Sequence, residues 1–220
     1  MKKIAIAIVL LTQLQLQGNA QAIAPDTALQ RQSNLFDQFI DGTVLLKSGG
    51  VSKAPLNYCS FDQSILFQKD GTNFTLTNFE DVDTVYIAEK KFIPVNKAFY
   101  EVEPTTGPIT LVVSYSSKFV PMSATTDHNG TSVQNNGRIS NTVSSVYVNR
   151  VYRGNYAVEI SKHYWLKDFK NVRKANNLKD FLRVFKESTN PAISEYAKDN
   201  EIDFHKEEDL VKLVNFSNKQ

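Results

Sequence analysis

Cysteine is almost absent from this chain: Cys59 is the only one in 220 residues, so no intrachain disulfide can form. Histidine is nearly as scarce. His128, His163 and His205 form neither H-x-x-x-H nor H-E-x-x-H, and no metal site or metal cofactor is expected. No G-x-S-x-G occurs, and no serine is followed three residues later by lysine, which removes the common serine-nucleophile signatures. There is no glycine-rich phosphate loop, since Gly49-Gly50 reads as a turn. No apolar run reaches the roughly 20 residues that a membrane helix needs. An excess of one charge is also missing. The formal charge is +2, and losing Lys2 and Lys3 would bring it to 0, so nothing points to nucleic acid.

What is present begins with an export pattern. MKKIAIAIVLLTQLQLQGNAQA joins two lysines, an apolar run from Ile4 to Leu11, and Ala20-Gln21-Ala22, the small-x-small pattern that signal peptidase reads. Cleavage after Ala20 or Ala22 fits equally. The expected destination is the periplasm or outer surface. About 200 residues would remain, enough to bury a core without staples. Residues 1–22 are read as signal, 23–38 as a leader, 39–166 as a β-rich domain and 167–220 as a helical module. Ser33 is expected to cap a short helical turn through Leu35, Phe36 and Phe39.

From Phe39 short Val-, Ile-, Phe- and Tyr-rich segments alternate with turn residues. They are GTVLLK (42–47), PLNYCSF (55–61), SILFQK (64–69), NFTLTNF (73–79), TVYIAEKKFIPV (84–95), AFYEVE (98–103) and ITLVVSYSSKFVPM (109–122). Asp70-Gly71 is the clearest hairpin signal. Residues 123–145 are polar and fit a functional or disordered insertion. VYVNRVY (146–152) and NYAVEISKHYWL (155–166) read as a last strand pair turning at Arg153-Gly154. The tail is helical: Leu178, Phe181, Leu182 and Phe185 share a face behind an Asn177 cap, Pro191 opens a second helix, and Glu207, Glu208 and Asp209 open a third. The fold class is α+β, an antiparallel meander closed as a sandwich or partial barrel, followed by helices.

Candidate residues are few. Cys59 lies mid-strand, away from the helix N-terminus or fixed base that activates a thiol, and fits a small packed residue better than a nucleophile or interchain link. Tyr147, Arg150, Tyr152, Arg153, Tyr156, Tyr164 and Trp165 crowd one region with Lys162 and His163. Aromatic planes beside polar groups can stack on sugars, although aromatics also simply favour strands. Asp26-Thr27-Ala28 and Asp83-Thr84-Val85 resemble a short bacterial O-glycosylation pattern, which makes Thr27 and Thr84 candidates. DNEIDFH (199–205) reads as a helix-to-helix linker rather than a calcium loop. Eight basic and two acidic residues from Lys162 to Lys186 face two basic and eight acidic ones from Glu187 to Asp209. The two blocks are expected to neutralise each other. The alternative is a basic surface for anionic lipid or polysaccharide.

The order FIDGTVLLKSGGVSKAPLNYCSFDQSILF, VDTVYIAEKKFIPV, AFYEVE, and then LKDFLRVFKESTNPAISEYAKDNEIDFHKEEDLVKLVNF is similar to a group of uncharacterised exported bacterial proteins. That resemblance implies a β-rich body with a Lys-rich helical tail. It implies no activity, no cofactor and no catalytic residue. The expected function is a non-enzymatic envelope protein that binds a protein partner or a glycan. A hydrolase or thiol enzyme is the first rival, and an outer-membrane β-barrel is the second.

Overall fold

In the computed structural model, residues 21–22, 33–121 and 156–220 are described. Eleven strands form one antiparallel sheet: β1 (Gln21–Ala22), β2 (Ile40–Leu46), β3 (Val51–Cys59), β4 (Ser64–Lys69), β5 (Thr72–Thr75), β6 (Val82–Ile87), β7 (Lys90–Val95), β8 (Ala98–Val102), β9 (Thr110–Pro121), β10 (Tyr156–Lys167) and β11 (Val172–Lys174). Their order is β1-β5-β4-β3-β2-β6-β7-β8-β9-β10-β11. Two meanders share β2: one runs back through β3, β4 and β5, the other forward from β6 to β11. The α+β expectation therefore holds, with a β meander followed by helices.

Local chemistry explains the turns. Asp70 and Gly71 both take positive φ between β4 and β5, as the hairpin signal requires. Asn96 and Lys97 do the same between β7 and β8. The segment read as one strand over 84–95 is instead a hairpin, β6–β7, turning at Ala88-Glu89 with Ala88 at φ 51°. No Gly or Asn marks that turn, so the sequence pattern runs straight through it.

The sheet curls until its two wings meet. Tyr58 on β3 stacks on Phe92 of β7 at 5.1 Å and meets Tyr115 of β9 edge-on at 5.4 Å. Its hydroxyl donates to the Phe99 carbonyl at 3.0 Å. Ser60 and Ser117 join hydroxyls, and Phe99 N donates to Gln63 O at 2.8 Å across the gap. Inside the curl lies one apolar core of Val44, Leu56, Tyr58, Ile65, Val82, Val85, Ile87, Phe92, Phe99, Val113 and Tyr115.

The helical turn expected from Ser33 through Phe39 is absent: residues 33–38 are turn, bridge and bends. Ser33 to Leu35 extend the β3 ladder beyond β2: Leu35 N donates to Tyr58 O, and Ser60 N donates to Ser33 O, both at 2.8 Å. Asn57 fills the bulge that follows. Its side chain donates to the carbonyls of Phe36 and Gln38 and accepts from Phe36 N and Tyr58 N. A buried amide with this many partners fixes the loop where a helix cap would have left them open.

The sheet also outlasts the expected boundary at 166, continuing to Lys174, before α1 (Leu178–Leu182), α2 (Asn190–Asp199) and α3 (Glu207–Ser217). Asn177 caps α1 through the Asp180 amide, and Pro191 sits in the first turn of α2. α1 stops after five residues, so Phe185 reaches Phe181 by ring stacking at 5.1 Å rather than along a helix face. The helices enclose a second core of Phe181, Ile193, Leu210, Leu213 and Val214, closed from below by Leu111 of β9 and Leu166 of β10. Asn218 clasps the loop before β9, with its side chain accepting from Ile109 N and donating to Thr106 O and Ile109 O. Gly107, at φ 111°, lies against it; a Cβ there would stand 2.7 Å from the Asn218 side chain.

Candidate functional site

Strand period sorts the residues of β7 to β11 onto two faces. The inner face continues the curl. There Glu101 on β8 and Glu103, just past the end of that strand, lie between the two apolar cores, with only 5% and 7% of their surface exposed. Glu101 is held on both oxygens, by the Lys90 ammonium and by the Tyr115 hydroxyl. Lys162 of β10 reaches Glu207 in the first turn of α3 at 2.6 Å. Glu103 differs: its Oε1 is buried with no partner. Burial first, then the charges of Glu207 and Glu101, push its carboxyl up to about 7. Burial and the bonded Glu101 carboxylate likewise raise the Tyr115 phenol far above its usual range.

The outer face carries a small cluster of its own, in which Trp165 packs over the buried Val112, Ser114 and Tyr100. Val102, Val112, Trp165 and Lys174 stand in one row across β8, β9, β10 and β11. Beside them Tyr100 and Trp165 tilt together with centroids 5.7 Å apart. Ser114 ties the pair, accepting the Trp165 Nε1 hydrogen at 2.9 Å and bonding to Tyr100. His163 Nε2 meets Ser116 Oγ at 2.8 Å. The Lys174 ammonium lies 5.3 Å from the Trp165 ring centroid. Burial, then Lys174 and Lys118, hold the His163 imidazole below its usual range, which places both lysines within its electrostatic reach. Tyr100 is 9% exposed and props the half-buried Trp165.

The expected aromatic-basic surface is thus divided. Trp165 belongs to the outer face. Tyr164 turns inward and packs against both cores, beside Lys162. Tyr156 pairs with Pro121 in the β9–β10 ladder. Tyr147, Arg150, Tyr152 and Arg153 lie outside the described residues, as does Thr27, and so does the expected strand over 146–152. Thr84 is described: it is 5% exposed, and its hydroxyl donates to Asp83 Oδ2 at 2.8 Å. Tyr100, Ser114 and Lys174 were not singled out by sequence reasoning. Their signal is positional, because only the cross-strand register brings them to Trp165. The Glu101/Glu103 pair carried a weaker one: two acids alternating with Tyr100 and Val102 in a strand place carboxylates where a buried face is expected.

Cys59 is buried, and desolvation pushes its thiol up to about 12. The groups that act on it are Asp62 and the backbone amides of Phe61 and Asp62 rather than a histidine, the reverse of what activates a nucleophile. Among the described residues no cluster of His, Cys, Asp and Glu could hold a metal ion, and no helix is long and apolar enough to cross a membrane.

Set against known proteins, the chain matches no family model, no curated protein and no solved structure. Fold and geometry define the class by themselves: an α+β protein in which a curled antiparallel meander carries a C-terminal helical module. Its interior holds a sealed acidic pair, and its outer face an aromatic platform bordered by cations.

Proposed function

We propose that this chain is an exported, non-enzymatic protein of the cell envelope that binds a partner or a glycan through the outer face of β8 to β11. The observation that carries the reading is Trp165: a half-buried indole held at a fixed tilt by Tyr100 and Ser114, with hydroxyl, imidazole and ammonium groups around it. A pre-set aromatic ring beside polar groups costs little ordering entropy on binding. The export pattern at residues 1–22 supplies the compartment. Cleavage after Ala20 would leave Gln21 and Ala22, which pair with Thr75 and Phe74.

The rivals have less support. A thiol enzyme needs an accessible thiolate, and Cys59 is 1% exposed. A membrane barrel needs an apolar outer band, whereas Lys53, Asp83, Lys91 and Glu159 are exposed along its strands.

Two measurements test the reading. Intact-mass analysis of the protein from envelope fractions should give a mature N-terminus at Gln21 or Ile23; a cytoplasmic protein retaining residues 1–20 would refute export. A photo-crosslinking residue at Ser116, on the outer face, should capture a reproducible envelope component. The same group at Ser117, on the inner face, should capture none, and equal capture by both would remove the proposed surface.

A further inference from the structure

Around Trp165 the outer face is cationic. Lys174 lies over the indole, and Lys118 flanks His163 from β9. Lys91 stands on the same face of β7, two residues from Ile93, which packs against this patch. Lys167 stands on it two residues beyond Trp165. Glu159, directly across from Lys118, is an acid on the same face. Other acids are gathered in the inner pair and at the start of α3.

The placement of Lys174 discriminates between ligands. A neutral sugar stacking on Trp165 would have to displace a cation already in contact with the ring's electron-rich face. A positively charged ligand would meet Lys174 and Lys118 directly. An acidic sugar must displace the same cation, but its carboxylate keeps the ammonium paired beside the ring while its C–H face takes the indole. The hydroxyl of Ser116 and the imidazole of His163 border the same patch and match sugar hydroxyls, while the buried Ser114 serves only to hold Trp165 and Tyr100. A membrane surface fits less well. The apolar side chains beside Trp165, namely Ile93, Val102 and Val172, are half-buried in the sheet, and the one protruding group, Phe169, stands apart from them in the β10–β11 turn with 94% of its surface exposed, a single anchor where a membrane-binding face needs an apolar stripe.

We infer that the outer face of β8 to β11 docks an acidic polysaccharide, with Trp165 as the stacking platform and Lys174, Lys118 and His163 receiving its carboxylates. This rests on the glycan branch of the function proposed above and names its ligand class. Charge would set the on-rate and the salt dependence, and the indole would set register along the chain.

Trp165 is the only tryptophan, so its fluorescence reports the site directly. The full-length mature protein is titrated with an oligogalacturonate and, separately, with the same oligosaccharide fully methyl-esterified, which keeps the sugar and removes the charge. Saturable change with the acid, and binding weaker by about tenfold or more with the ester, supports the inference; a tenfold change corresponds to about 1.4 kcal/mol. Equal binding of both overturns the acidic assignment while leaving the glycan reading intact. Binding of neither overturns the inference and the glycan branch with it, leaving a protein partner. Preference for phosphatidylglycerol vesicles over the oligosaccharide also overturns it. Calorimetry of the double variant Lys118→Glu/Lys174→Glu should show the loss, with Lys53→Glu, an exposed lysine on β3, unchanged. An equal loss in both would mean diffuse attraction rather than a site, and would sink the proposal.

Discussion

The inner and outer faces of β8 to β10 are made of alternate residues of the same strands, yet they handle polarity in opposite ways. Inside, Glu101, Tyr115 and Lys90 consume one another's hydrogen-bonding capacity under cover of the helical module. Outside, Ser116 and His163 bond locally but remain beside solvent, with Ser114 buried beneath Trp165 as their support. The difference teaches where to look for function in a sheet protein with no catalytic signature. Satisfied buried polar groups fix the fold, because leaving one unpaired is costly. Polar groups around an open aromatic ring are available to something else.

That comparison can be broken most directly from inside. Glu101→Ala strips the partner from both Lys90 and Tyr115 and should lower stability by about 3 kcal/mol in chemical denaturation, as loss of one member of a buried ion pair does. A cost well below 1 kcal/mol would show that water reaches this network.

Glu103 gives the next largest effect, and it depends on pH. Its folded carboxyl is raised from 4.5 to about 7. The folded state therefore holds the proton more tightly than the unfolded chain. The stability this contributes is complete below the ordinary value of 4.5 and is lost as pH rises through about 7. Glu103→Gln should match wild type near pH 4 and exceed it by about 2 kcal/mol at pH 8. Parallel denaturation series for the two proteins would check this, and identical pH profiles would contradict it.

On the outer face the expected cost is small. Ser114→Ala leaves the Trp165 Nε1 hydrogen without its acceptor at a position that is 1% exposed, so stability should fall by about 1 kcal/mol. The indole would lose its tether, and its emission and anisotropy should change. A large stability loss would place this face with the structural one.

Smallest of all is the effect expected at Cys59. A thiol-specific reagent should leave the native protein unmodified at neutral pH and react fully once the chain is unfolded. Rapid labelling of the native protein would show that the thiol is exposed and return the thiol-enzyme reading to consideration.

Much of the fold was legible because its signals are local. Alternation marked β4 and β9, Asp70-Gly71 marked a turn, and Asn177 and Pro191 marked helix starts. The Ala88-Glu89 turn was hidden because neither residue type advertises positive φ. The bulged leader was hidden because its partner, Asn57, lies some 20 residues further on, out of reach of any periodicity. The charge blocks were half legible. Lys162 does pair with Glu207 across them, whereas Lys212 pairs with Asp209 within α3. The site was the least visible. Tyr164 and Trp165 are neighbours in sequence and therefore opposites in a strand, while Ser114 and Trp165, 51 residues apart, share a hydrogen bond. Proximity along the chain misleads wherever side chains alternate.

The Asn218 clasp has a consequence in time. It joins the end of the helical module to a loop 109 residues earlier. On a chain made from its N-terminus, that loop must wait for nearly everything after it to be synthesised. Until then the Leu111 and Leu166 floor that the helices close over stays uncovered, with the Glu103 carboxyl in water beside it. The burial that sets this acid apart in the finished molecule is therefore among the last things the chain acquires.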